Sequence, residues 1–453
     1  MRDLLRETAD LAADYLESVP DRPVFPHVEV GELRARLALP LPDGPTDPAQ
    51  VVRALAEVGS EGAVGMSGGR YFGFVIGGSV PAALAADWLT SAWDQNAGLY
   101  VGGPAASVAE EVAGAWLAEL LNLPADASFA FVTGTQMAHV TALAAARHHV
   151  LAEVGWNVER DGLAGAPKIR VLAGTKRHTT LTRAVRFLGL GTDSMVEIAS
   201  DRQGRMRADA LREALPGDGP TIVCAKAGEV NTGSFDPLEE IADAVAGTGA
   251  WLHVDGAFGL WAAASPRFAH LVAGAERADS WAVDGHKWLN VPYDSGIAFC
   301  AHPASHRAAI SVTAEYLVQA DEGGPRDQMD WTPEFSRRAR GFALYAAIRS
   351  LGRSGIADLV ERCCRHARRL GEGVAAIPGV EVLNEIVLNQ VLFRFESDEK
   401  TAAVLSAVQE GGVAWMSGTI WEGRGAIRVS VSNWQTCDED VERTIAEFAR
   451  AAT

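Results

Sequence analysis

Six short apolar runs recur through the middle of the chain: Phe129–Val132, Ile169–Ala173, Ile222–Ala225, Trp251–Val254, Ser280–Val283 and Gly296–Cys300. Continuous apolar stretches of this length suit strands buried on both faces. Helical patterning separates them, as over Met137–Val150 after the first run. Strands alternating with helices predict an α/β layer on a largely parallel sheet.

The flanks read differently. Leu4, Leu5, Leu11, Ala12, Tyr15 and Leu16 space an amphipathic helix over residues 1 to about 20, which Pro20, Pro23 and Pro26 end. A loop with three prolines spans 36–46, and a second helix runs from Asp47-Pro48 to about Glu57. Ser79 to about Leu123 reads as helix, broken at Gly98 and Gly102-Gly103-Pro104. The last hundred residues read as a long helix, then strands at Val380–Leu383, Gln390–Phe395 and Ala426–Ser430, then helix over Asp438–Ala451. That pattern suits a small α+β domain, and no internal repeat is visible.

With 453 residues the chain can bury a large core in two or three domains. The charge balance of 40 − 58 = −18 gives an acidic surface, which argues against nucleic-acid or anionic-membrane partners. Five cysteines at irregular spacing, with no CxxC pair, point to reduced thiols and a cytoplasmic setting. The first ten residues carry acids and lack a signal-peptide core, and no apolar segment is long enough for a membrane span.

Lys287 lies in Asp284-Gly285-His286-Lys287-Trp288, just past one apolar run. Asp255 closes another, 32 residues upstream (287 − 255). A Lys amine after His in this setting is where a pyridoxal phosphate (PLP) enzyme holds its cofactor as a Schiff base, which an incoming amino acid displaces. A carboxylate against the pyridinium nitrogen favours its protonated form, and the ring absorbs a Cα carbanion well only while protonated. These two segments resemble the core of the group II PLP-dependent amino-acid decarboxylases, which include the aromatic amino acid, histidine and glutamate decarboxylases. The likeness runs from about residue 20 to the end and is strongest across 220–300.

The resemblance implies PLP fold-type I, aspartate aminotransferase-like. Its large domain has a mainly parallel seven-stranded sheet, joined to a small C-terminal α+β domain and an N-terminal helical arm. Residues 1–65 would form the arm that packs on a partner subunit, 66–345 the large PLP-binding domain, and 346–453 the small domain.

It also implies site roles. Thr133-Gly134-Thr135-Gln136 follows a strand and opens a helix, whose free N–H groups and dipole suit an anion. Gly134, Thr135 and Gln136 would cradle the phosphate, although the family pattern ends in Asn where this chain has His139. Asp284 departs from the usual Asn, and a carboxylate is unfavourable beside phosphate. Its side chain is expected to turn away or act through water. His286 matches the histidine that approaches the phosphate. His178 matches the one that covers a cofactor face, and Ala257 the small residue on the other face. Glu229 replaces a Thr that often touches the ring hydroxyl, a contact an ionised carboxylate cannot donate to. His253 reads as a structural strand residue beside the cofactor.

Tyr316, with Leu317, falls 29 residues after the Lys (316 − 287). It matches a Tyr on a loop that closes over the neighbouring subunit's site and protonates Cα. Related aldehyde synthases carry Phe there. Arg428, on a small-domain strand, would grip the substrate carboxylate bidentately. The segments Tyr71–Phe74 and Trp93–Asn96 resemble the substrate entrance, which makes Phe72 and Trp93 substrate-binding aromatics. Arg337 and Arg338 suit an interface or an ion pair. No HExxH and no clustered Cys/His spacing supports a metal site. The reaction so implied is decarboxylation of an L-amino acid to its amine in a homodimer. Another PLP reaction on the same scaffold (transamination, C–C or C–S cleavage, oxidative deamination) or a non-catalytic PLP-binding protein are the alternatives.

Overall fold

The computed structural model describes residues 1–312 and 324–453. Strands β1 (Ser128–Val132), β2 (Arg170–Gly174), β3 (Met195–Ile198), β4 (Thr221–Lys226), β5 (Trp251–Asp255), β6 (Ser280–Asp284) and β7 (Gly296–Cys300) form one sheet in the order β1-β7-β6-β5-β4-β2-β3. From β6 to β3 every pairing is parallel, and β7 runs antiparallel to both β6 and β1. This is the mainly parallel seven-stranded layer of fold-type I.

The central strands are buried throughout because helices cover both faces. Trp251, Trp261, Trp281 and Trp288 are fully buried among them, each contributing about 2–3 kcal/mol of apolar burial. Their indole N–H groups need partners there. Trp261 Nε1 donates to the Asp284 carbonyl at 3.0 Å, which pins the carboxyl end of β6. Register aligns Lys226 with Asp255, and Asp284 and Val132 both with Gly296. The carboxyl ends of β1, β4, β5 and β6 therefore share one edge, the edge at which open α/β sheets bind ligands.

A second, antiparallel sheet joins β8 (Glu381–Val382), β9 (Gln390–Arg394), β10 (Ser417–Trp421) and β11 (Arg424–Ser430) in the order β10-β11-β9-β8. Helices Asp398–Glu410 and Asp438–Ala452 pack beside it. The segment Gly341–Ala375 connects the two sheets and is broken at Gly352, whose φ of 61° only glycine adopts readily. At the other end, the helix Arg2–Ser18 has no buried residue. No helix among the described residues is long and apolar enough to cross a membrane.

Elements outside the sequence expectation include β3, β10, and the helices Val30–Leu37, Pro303–Ile310 and Asp398–Glu410. Both strands sit at sheet edges and are largely uncovered, so neither carries a continuous apolar run. Val30–Leu37 buries nothing. Asp398–Glu410 had a readable start, because Ser397 caps it by accepting from Lys400 N at 3.1 Å and acids fill its first turn.

Candidate active site

The shared strand edge opens into a cavity of about 370 Å³. Asp255 enters from the end of β5, and the helical turn Gly285–Trp288 after β6 carries His286 and Lys287 to its wall. Gly134, Thr135 and Gln136 face it from the turn between β1 and the helix Thr135–Ala152. His178 and Ala257 line it as well. The structure thus gathers every expected cofactor-side residue around one space.

Lys287 Nζ is 3.0 Å from Asp284 Oδ2, and Asp284 Oδ1 accepts the Thr135 backbone N–H at 2.6 Å. The Asp284 carboxylate therefore does not turn away, as the sequence reading had it. It makes direct contact with both, because the first free N–H of a helix and an ammonium are the best available partners for a buried charge. Burial would raise the Asp284 carboxyl pKa, but Lys287, His286 and the Thr135 N–H outweigh it and hold it below the usual range.

His286 accepts from Ser295 N through Nδ1 at 3.1 Å, so its proton sits on Nε2. Its ring stacks on Tyr293 with centroids 4.2 Å apart. The same ring explains Gly134: a Cβ there would lie 3.1 Å from His286 Cε1. Burial lowers the His286 pKa, with Asp284 acting in the opposite direction.

Asp255 is 9% exposed, and its Oδ1 accepts from Ala257 N at 3.2 Å. Burial alone would raise its pKa. Its contact with His139, and then its neighbours His178 and Lys287, reverse that and keep the group ionised well below the usual carboxylate range. His178 caps the helix Thr179–Phe187, its Nδ1 accepting from Thr180 N at 3.3 Å, which leaves Nε2–H free at the cavity. The residue stays exposed at the cavity, and desolvation there lowers its pKa.

Three expected residues lie elsewhere. Phe72 is in the hydrophobic core at 1% exposed, and its neighbour in sequence Phe74 lines the cavity instead. Left-handed backbone at Phe74 (φ 55°) and Val75 (φ 63°) swings Phe74 out of that core. Trp93 packs edge-on against Phe342 with centroids 4.9 Å apart and does not reach the cavity. Arg428 is buried on β11, donating to Ser417 Oγ at 3.1 Å, and is not among the lining residues. Tyr316 lies outside the described residues.

Glu229 is buried and spends its carboxylate on its own turn, accepting from Asn231 N at 2.6 Å and Thr232 N at 2.7 Å. The flanking Gly228 and Val230 face the cavity in its place. Phe258, Lys176 and Lys226 also line it without having been singled out. Lys226 had no local signal, since its partner Asp236, at 2.9 Å, reaches it across a turn. Arg337 forms a fully buried pair with Glu110 at 2.7 Å, while Arg338 meets Asp87 at the surface.

The residues present fit PLP. Thr135 Oγ1 and Gln136 Oε1 are buried and without a hydrogen-bond partner among the described residues, leaving polar capacity at the helix start for a ligand. An ionised carboxylate and a lysine amine face the same space.

A family model described as the pyridoxal-dependent decarboxylase conserved domain matches residues 35–396. Tryptophan decarboxylase 1 of Oryza sativa subsp. japonica is 28% identical, over 96% of this chain and 90% of its own. L-2,4-Diaminobutyrate decarboxylase of Rhizobium meliloti (strain 1021) is 29% identical, over 83% of this chain and 76% of its own. The crystal structure of Oryza sativa TDC with PLP and tryptamine superposes with a TM-score of 0.93 at 25% identity, covering 100% of this chain and 97% of that one. Fold, site and family model agree, and the chain belongs to the group II pyridoxal-phosphate-dependent decarboxylases, enzymes that act on amino acids.

Proposed function

We propose that the protein converts an L-amino acid with an apolar or aromatic side chain into the corresponding amine and carbon dioxide. The observation that carries this reading is that Lys287, Asp255 and His178 line one cavity whose remaining wall includes Phe74, Val230 and Phe258. When bound, PLP supplies an electron sink for the pair of electrons left at Cα.

The chain's own residues do the rest. Lys287 would tether the cofactor through Nζ and give way to the substrate amine. Asp255, held ionised, keeps the ring nitrogen protonated. His178 would cover one face of the ring with its imidazole and offer its free Nε2–H to the substrate carboxylate, and Ala257 would leave room on the other face. Gly134, Thr135, Gln136 and His286 surround the phosphate. Tyr316 returns a proton to Cα from its phenol after carbon dioxide leaves.

A homodimer and a cytoplasmic setting belong to the same reading. Leu5, Leu16, Leu55 and Trp88 are exposed around the N-terminal arm, a surface suited to a second copy, and all five cysteines are free. Product mass spectrometry on PLP-loaded protein with a panel of aromatic, branched, acidic and basic L-amino acids tests the proposal. An amine lighter than its parent by carbon dioxide, from an aromatic or branched substrate, is the expected product. An aldehyde or keto acid would remove the reaction assignment, and turnover confined to basic or acidic amino acids would remove the substrate class.

A further inference from the structure

Behind Asp255, away from the cavity, lies a buried chain of polar side chains. Trp251 Nε1 stands 2.8 Å from Ser280 Oγ, Ser280 Oγ 2.9 Å from His253 Nδ1, and His253 Nε2 2.9 Å from His139 Nδ1. His139 Nε2 faces Asp255 Oδ2 at 3.4 Å and has no other partner among the described residues. Each of Trp251, Ser280, His253 and His139 is at most 1% exposed, so no bulk water substitutes for these contacts.

The chain has a direction, fixed at the Trp251 end and matched at the Asp255 end. An indole N–H only donates, so Ser280 Oγ accepts from Trp251; among the described residues its O–H meets no acceptor other than His253 Nδ1, and it donates there. His253 then carries its proton on Nε2 and donates to His139 Nδ1. His139 is left with its proton on Nε2, aimed at Asp255. From the other end, an ionised carboxylate only accepts, and the reverse polarity would set the lone pair of His139 Nε2 against it. Burial lowers the His253 pKa to about 3, so that ring stays neutral and its one proton stays committed.

We infer that His139 is a positioning residue and that Trp251, Ser280, His253 and His139 form a one-way hydrogen-bond relay that orients Asp255 and keeps it ionised beneath the cofactor's ring nitrogen. The inference rests on Asp255 pairing with that nitrogen. Other groups facing Asp255 are His178 from the start of its helix, Lys287 from the turn after β6, and the Cys224 thiol on β4. His178 and Lys287 act on Asp255 through the cavity side. His139 contacts it from behind, through the relay.

The test loads the protein with PLP labelled with 15N at the ring nitrogen and follows that resonance against pH in native, Asp255→Ala, His139→Leu, His139→Gln and Ser280→Ala proteins. Losing a hydrogen bond to a charged partner should lower the ring-nitrogen midpoint in His139→Leu by about one to two pH units. His139→Gln, which places an amide N–H near the position of Nε2, should recover most of it. Ser280→Ala should shift the midpoint in the same direction by a smaller amount, although it lies two side chains from Asp255. A native midpoint in folded His139→Leu, or equal shifts in the Leu and Gln variants, overturns the relay. Should His139→Leu fail to fold, Ser280→Ala decides alone, and no shift there overturns the relay. If Asp255→Ala itself leaves the nitrogen protonated, the pairing with Asp255 has failed; if it alone deprotonates the ring, only the relay has.

Discussion

Asp284 bridges Lys287 and the start of the phosphate-side helix: one carboxylate oxygen is 3.0 Å from Lys287 Nζ, and the other accepts the Thr135 N–H at 2.6 Å. The carboxylate pairs with the amine that has to condense with the cofactor, and it takes a backbone donor that an anion would use. Both effects oppose loading. Asp284→Asn is expected to bind PLP about tenfold more tightly at neutral pH, read by absorbance titration. Weaker or unaltered binding would mean that the carboxylate serves the cofactor instead.

Lys287→Ala removes the only amine proposed for covalent attachment. The bound-cofactor absorbance shift should vanish and turnover should fall to background. An unchanged spectrum would sink the assignment of Lys287.

The buried pair Arg337–Glu110 also holds the carbonyls of Ala97 and Phe131, through Arg337 Nη1 at 2.8 Å and Nη2 at 2.6 Å. Arg337→Leu strands a buried carboxylate and should cost about 3–5 kcal/mol in denaturant unfolding. The double variant with Glu110→Leu should recover part of that loss. Equal losses in the single and double variants would show that the carbonyl contacts matter more than the charge pair.

His306 is buried between Ser128 Oγ and the Trp331 carbonyl, each 2.9 Å away. Burial, then Arg326, lowers its pKa from 6.5 to about 3. Between those values the unfolded chain binds a proton that the folded one refuses, so stability is complete above 6.5 and falls as pH drops toward 3. The slope from this one group is about 1.4 kcal/mol per pH unit. His306→Gln should flatten the decline of Tm between pH 6.5 and 4 relative to the native protein. Parallel curves would assign the acid sensitivity to other groups, such as His253.

The central strands were legible because each is buried on both faces and so spells out an apolar run. Lys287 and Asp255 were legible because each follows such a run directly. Phe72 and Phe74 show where this stops. They look alike in sequence, and the left-handed backbone at Phe74 and Val75, which nothing in the residue types demands, decides which one meets the cavity. His139 reads as one more residue of a buried helix. Its role depends on His253, 114 residues away, and no local pattern carries that distance.

A Cβ on Gly296 would fall 2.4 Å from the Gly134 backbone, so the two chains touch with nothing between them. The start of β7, paired with Asp284 just ahead of the Lys-bearing turn, and the helix start are thereby held against each other as one side of the cavity. That side keeps its shape whichever amino acid arrives. Phe74 and Val230 line the same cavity away from that contact, and under the proposed function a change of substrate range should map to them and leave the cofactor's seat intact.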